Sequence, residues 1–368
     1  MNLFFELIQV VCGHREGLSR IPSAAEWMSL YRMSQKQALM GVCFEGVQRL
    51  PKEQTASLPI SVKMEWLSRT AQIQRQNELM DKRAREVSAL FEEGGFQTCV
   101  LKGQGIARMY PSPACRQSGD IDLWVVPSAK AGTDSRKPVI DFMKSKGWVT
   151  GRTVVHHTDV EIFSDACVEV HHFPSYSFSP FRWRKYRRWF KAQEKLQFQL
   201  KDHTLGFCHP SIGFNLVYCL LHIFRHVFHE GIGLRQLMDY NMVLVAAGRG
   251  GTRERQMQAM RTLEWLGLSR FTAAVMYVEQ VVFGLPEEEM LCRPDVEAGR
   301  YLLDEIMRSG NFGKYDTRLQ RAHSGGNVRL YLHNVGRLMN MIRFYPSEVL
   351  WAPLWKVGHW LWRRAKGY

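Results

Sequence analysis

The pattern of apolar and polar positions divides the chain into three stretches. Residues 1–92 carry apolar side chains at helical spacing with few strand signals. Pro51 and Pro59 bracket a loop, and Val62 through Phe91 fits one or two long helices rich in Arg, Gln and Glu. Residues 95–175 are mixed. Phe96–Leu101 predicts a short strand after the Gly94-Gly95 turn, and Ile106–Tyr110 the opening of a helix. A second strand runs through Ile121–Val125, followed by a loop marked by Pro127 and Gly132 and a helix over 136–146 that Gly147 stops. Trp148–Val155, Val160–Phe163 and Cys167–His171 read as three further strands. From about residue 205 to the end strand signals nearly vanish. Helical runs there are broken at Gly248-Arg249-Gly250-Gly251, Gly284-Leu285-Pro286, Ser309-Gly310 and Ser324-Gly325-Gly326. The expectation is an α+β chain: a small mixed sheet with helices over 93–200, an N-terminal helical segment over 1–92, and an all-helical C-terminal domain over 201–368.

The central stretch also carries the chemistry. Alternate residues of a strand share a face, so Asp120 and Asp122 point to one side while Ile121, Leu123 and Val125 point into a core. Two like charges roughly 5 Å apart repel by about 3 kcal/mol at an effective dielectric near 20. A cation between the oxygens removes that cost. Magnesium, a hard ion that takes carboxylate and phosphate oxygens, is the natural candidate. Just upstream, the first strand ends in Lys102-Gly103-Gln104-Gly105. Strand, glycine turn and helix start present backbone N–H groups to an anion, with a lysine alongside. A phosphate cradle followed by a metal-binding Asp-x-Asp strand makes a nucleoside-triphosphate site.

With these residues in view, the chain resembles the uncharacterised bacterial nucleotidyltransferases of the polymerase-beta-like superfamily, close to the minimal and toxin-type members. The resemblance rests on Leu101-Lys102-Gly103, on Arg116 with Gly119-Asp120-Ile121-Asp122, on Val168-Glu169-Val170-His171, and on His222 to Asp239 with Gly233-Leu234-Arg235-Gln236 inside it. It implies a polymerase-beta-like core in which Asp120, Asp122 and a third acid hold two magnesium ions, or manganese in their place. A nucleoside monophosphate then passes from a triphosphate, ATP among the candidates, to an acceptor hydroxyl, releasing pyrophosphate. The third acid also favours deprotonation of the acceptor. The usual Gly-Ser pair before the carboxylates is replaced here by Lys102-Gly103-Gln104, and the spacing to Asp120 is longer than in the commonest members.

Glu169 is the candidate third acid, because Val168 and Val170 alternate with it and turn it to the polar face. Glu161, flanked by Val160 and Ile162, is the competitor. Lys102 and the N–H groups near Gly103 would meet triphosphate oxygens. Arg116 would bridge to the triphosphate or neutralise the acids. Arg235 and Asp239, at i and i+4, read as an intrahelical ion pair, although the resemblance places Arg235 beside the nucleotide or acceptor. His222, His226 and His229 share one helix face, but Ile223 stands where a zinc protease needs Glu, and no cysteine pair offers further ligands.

Composition narrows the partners without choosing one. The net charge of +14 favours a polyanion. The acceptor could be tRNA or another RNA end, a protein side chain or a small hydroxylated molecule. Phe181–Lys191 interleaves bases with aromatics, as single-stranded RNA binding wants and as an amphipathic helix with inward aromatics also does. The Trp-rich C-terminus reads as a helix docked on its own domain in preference to a membrane-surface contact. No stretch is long and apolar enough to span a bilayer, the N-terminus lacks a signal-peptide pattern, and the eight cysteines show no C-x-x-C spacing. The default location is cytoplasmic. The rival reading is a non-catalytic nucleotide-sensing or RNA-binding protein that keeps the fold.

Overall fold

The computed structural model describes residues 2–128, 136–250, 253–316 and 335–367. Gly132 and the Ser324-Gly325-Gly326 break lie outside them. Helix α1 (Leu3–Cys12) opens on Asn2, whose side chain accepts from Phe4 N, and α2 (Ala24–Lys36) opens on a reciprocal Ser23–Glu26 capping box. After α3 (Met40–Arg49) and the short α4 (Lys52–Thr55), helix α5 (Ile60–Glu93) runs unbroken for 34 residues. One helix therefore fills the span that allowed one or two. Its first half packs Val62 and Trp66 among α1–α3. Its second half lays Met80, Ala84, Val87 and Phe91 against the sheet.

That sheet has five strands: β1 (Phe96–Leu101), β2 (Ile121–Pro127), β3 (Val149–Thr153), β4 (His157–Glu161) and β5 (Val168–His171). Their order is β1-β2-β5-β4-β3, with β2 and β5 parallel and the other neighbours antiparallel. Two elements depart from the sequence reading. The fourth strand starts three residues earlier than Val160, because Val154 N–H bonds His157 O and closes a tight hairpin with β3. The polar His157-Thr158-Asp159 start hides this, although Thr158 and Val160 are both buried. The expected Ile106 helix is likewise displaced: α6 (Gly103–Ala107) turns directly off β1, and Arg108–Tyr110 only unwinds it. Helix α7 (Arg136–Ser145) covers the same apolar face of the sheet as α5.

The two faces of the sheet differ in kind. Val100, Ile121, Leu123, Val125, Val168 and Val170 form one apolar layer with α5 and α7. The opposite face presents Asp122, Trp124, Glu169 and His171 toward the helical region. There α8 (Pro180–Gln197) and a small ribbon, β6 (Lys201–Asp202) with β7 (Phe207–Cys208), lead into α9 (Ile212–His229), α10 (Leu234–Gly250), α11 (Arg253–Trp265), α12 (Ser269–Val278) and α13 (Val296–Ser309). A C-terminal helix, Pro346–Lys366, completes the described chain. In α8 Tyr186 and Phe190 turn inward and are buried, and Trp189 stacks on Phe214 at 4.9 Å, whereas Phe181 is exposed. The N-terminal and C-terminal helices share one apolar core, bridged by polar contacts such as Leu234 N–H to Gln37 Oε1 at 2.9 Å. No described helix is long and apolar enough to cross a membrane.

Candidate functional site

Strand register assembles the acidic cluster. Leu101 pairs with Asp122 across β1–β2, and Asp122 pairs with Glu169 across the parallel β2–β5 ladder. Asp120 stands one residue before β2. One carboxylate oxygen from each of Asp120, Asp122 and Glu169 lies within 4.8 Å of the others. An all-oxygen set of this size fits a hard divalent cation. Glu161 instead sits exposed at the far end of β4, beside Val149.

Lys102 follows β1 directly and holds φ +54°, ψ −133°, a backbone conformation that side chains other than glycine rarely adopt. Its Nζ lies 2.7 Å from Asp122 Oδ2 and 3.5 Å from His222 Nε2. Burial pushes Asp122 upward, but the Lys102 ammonium and the His171 imidazole outweigh it and hold this carboxyl below the usual range. The repulsion falls on Asp120, which the Asp122 charge and burial push up to about 6. Glu169 is opposed by burial yet held at about 2, chiefly by His171. The protein thus neutralises part of the cluster itself and leaves Asp120 without a compensating partner charge strong enough to offset its neighbour.

The flanking cations divide their duties. Arg116 is buried and makes two hydrogen bonds of 2.7 Å to the two oxygens of Asp239, one of which also accepts from Tyr110 Oη at 2.7 Å. Asp239 is therefore engaged across the fold, and the helical Arg235–Asp239 pairing expected from spacing gives way to it. Arg235 Nη1 instead donates to Gln117 O at 3.1 Å. Its guanidinium lies against Gly119, where an added Cβ would come within 3.1 Å. The small residue before Asp120 makes room for that arginine.

Lys102, Gly103, Arg116 and Arg235 line one cavity of about 720 Å³ together with Asp120, Asp122 and Glu169. Gln104 does not line it; it is buried, with Oε1 lacking a hydrogen-bond partner. The opposite wall is His222, His226 and His229 of α9, and the rim is Trp355, Lys356, His359 and Arg363 of the C-terminal helix. Burial pushes all three α9 histidines below the ordinary imidazole range, His226 to about 3 and His229 to about 4. They face the cavity as neutral rings. Sequence reasoning missed the C-terminal rim, His157 and Asp159 altogether. The family resemblance includes His171 without assigning it a role, although its position two residues after Glu169 puts both on one strand face.

Residues 23–284 match the family described as uncharacterised nucleotidyltransferases, a span of more than half the chain that includes the whole acidic cluster. The chain belongs to that family. No curated protein and no solved structure matches it. The α+β architecture, with its small mixed sheet between helical flanks, is that of a polymerase-beta-like nucleotidyltransferase relative. The helix that forms the cavity rim lies beyond the residues that match this family.

Proposed function

We propose that the protein is a metal-dependent nucleotidyltransferase that moves a nucleoside monophosphate from a nucleoside triphosphate to an acceptor hydroxyl, with release of pyrophosphate. The observation that carries this reading is the convergence of Asp120, Asp122 and Glu169 oxygens within 4.8 Å at the wall of a large cavity. These three residues would hold the cations. Bound magnesium would supply charge neutralisation on the triphosphate and a lowered pKa for the acceptor hydroxyl. Glu169, on the neighbouring strand, is the acid on the acceptor side, suited to favour loss of that hydroxyl's proton. Lys102 and Arg235 would draw the phosphate oxygens toward the carboxylates and offset the charge that passes to the leaving pyrophosphate. Arg116, fixed on Asp239, acts by holding α10 and with it Arg235 in place. In the transfer, the acceptor oxygen forms a bond to the α-phosphorus as the bond from that phosphorus to the pyrophosphate oxygen breaks.

One observation favours the second reading, a nucleotide sensor without catalysis: Lys102 already occupies an oxygen of Asp122. The raised pKa of Asp120 weighs against it, since a sensor has no use for uncompensated repulsion. The deciding experiment incubates the protein with magnesium, each of four α-labelled nucleoside triphosphates, and cell extract separated into RNA, protein and small-molecule fractions. Label in one fraction, absent with Asp122→Asn, is the expected result. Triphosphate binding without label anywhere would replace the transferase reading with the sensor.

A further inference from the structure

Beside the all-oxygen cluster lies a second group of donors. One nitrogen each of His157 and His171 and one oxygen of Glu169 fall within 4.8 Å of one another. We infer that these three residues form a second divalent-cation site, with two nitrogen donors and one oxygen, that shares Glu169 with the acidic cluster and takes a transition ion of the Zn2+ type in preference to Mg2+. Imidazole nitrogens suit zinc, whereas magnesium takes oxygen ligands almost exclusively.

His171 gives the first argument. Its ring is fully buried, with Nδ1 3.3 Å from Phe173 O. A carbonyl can only accept, so the Nδ1 proton is directed there and Nε2 faces Asp122 Oδ1 at 2.8 Å and Glu169 Oε2 at 3.3 Å. The approach to Asp122 is out of line with the ring's N–H direction: neither His171 Nε2 nor Asp122 Oδ1 makes a hydrogen bond. His171 Nε2, buried and without a hydrogen-bond partner, is the nitrogen that this residue offers to an ion shared with Glu169.

His157 repeats the arrangement from β4. Its Nε2 lies 3.1 Å from Asp159 Oδ1, and its Nδ1 lies 3.4 Å from Glu169 Oε2. With Nε2 turned to the carboxylate, Nδ1 is the ring nitrogen that faces Glu169. Nδ1 also shares a hydrogen bond of 2.9 Å with His156 Nε2, which an ion bound at Nδ1 would displace. Metal-bound histidines characteristically donate their second ring N–H to a carboxylate or a backbone carbonyl, which fixes tautomer and orientation. Here the second ring nitrogen of His157 faces a carboxylate and that of His171 a carbonyl. His157, Asp159 and Glu169 also line the cavity, so an ion has an entry path. Three protein ligands leave a coordination position open on the cavity side.

The site borrows Glu169 from the proposed function but does not depend on the transfer reaction, so it is tested without nucleotide. The full-length protein is titrated with Zn2+ alone under excess Mg2+, and the loaded protein is examined by zinc X-ray absorption. The expected result is one tightly held Zn2+ with two imidazoles at about 2.0–2.1 Å, and one imidazole in His157→Gln. Asp159→Asn, on a half-exposed side chain, should weaken zinc about 10- to 100-fold while the fold is unchanged by circular dichroism. Zinc bound without imidazole, displaced by Mg2+, or held equally by wild type and His157→Gln would overturn the inference while leaving nucleotidyl transfer untouched. Loss of label transfer alone would sink the transferase reading and leave the zinc site standing.

Discussion

Asp122 and Glu169 are register partners across the parallel strands β2 and β5, so one backbone ladder sets the separation of two acids that are distant in sequence. A ladder holds its register far more firmly than a loop holds a side chain. Substituting Asp122→Asn keeps the shape and removes the charge. The several kcal/mol of transition-state stabilisation that a metal clamp contributes correspond to about a thousandfold in rate. Label transfer at saturating triphosphate should fall by about that factor or more, with far-ultraviolet circular dichroism unchanged.

The Arg116–Asp239 pair is the structural hinge-pin behind Arg235. Both side chains are buried, so removing one partner strands a charge. Asp239→Ala should cost about 3–5 kcal/mol in denaturant unfolding. The double variant with Arg116→Ala should recover part of that loss, because neither charge is then left alone. Equal, additive losses would show that the two groups do not act as a pair.

Backbone strain at Lys102 can be separated from its charge by comparing two variants that both lack the ammonium. At φ +54°, ψ −133° an alanine keeps the steric conflict and a glycine does not. Lys102→Gly should unfold at higher denaturant than Lys102→Ala, by about 1–3 kcal/mol. Both should lose label transfer.

Glu279 supplies the pH dependence. It is fully buried in the π-helical turn after α12, accepts from Asn241 Nδ2 at 3.1 Å, and burial pushes its carboxyl well above the usual range. The folded state keeps the proton that the unfolded chain releases. Its stabilising contribution is therefore complete below the ordinary glutamate range near 4.5 and is lost as the pH climbs toward the raised value. Glu279→Gln keeps the hydrogen-bonding shape without the proton. It should match wild type at acid pH and exceed it increasingly above, by at most about 1.4 kcal/mol per pH unit. Urea midpoints measured from acid to alkaline pH check the sign.

The parts of this architecture that could be read from the chain are those written in local periodicity. Phe96–Leu101 is bounded by glycines on both sides, and the two-residue spacing in Asp120-Ile121-Asp122 and Val168-Glu169-Val170 states which side chains face away from the core. What periodicity could not convey is who meets whom. Asp239 lies four residues from Arg235 yet binds Arg116, because burial rewards a bidentate partner across the fold over an intrahelical contact. The start of β4 was hidden because His157, Thr158 and Asp159 are polar for a reason of their own: they serve the cavity and the adjoining strand. The rim helix was unreadable as part of the site, since its approach to the sheet is set by the packing of Trp355 on Tyr176 at 4.7 Å, a contact between distant segments.

Lys102 also bears on how this protein exists before any ligand arrives. A pocket of three clustered acids that relied on metal for charge balance would tie folding to metal supply, as happens in small metal-nucleated domains. Here a tethered ammonium already rests on Asp122. The molecule carries its own counter-ion, so it can fold and wait in a cell depleted of free cations, and an incoming ion competes with a side chain for a carboxylate oxygen that the fold has kept in place.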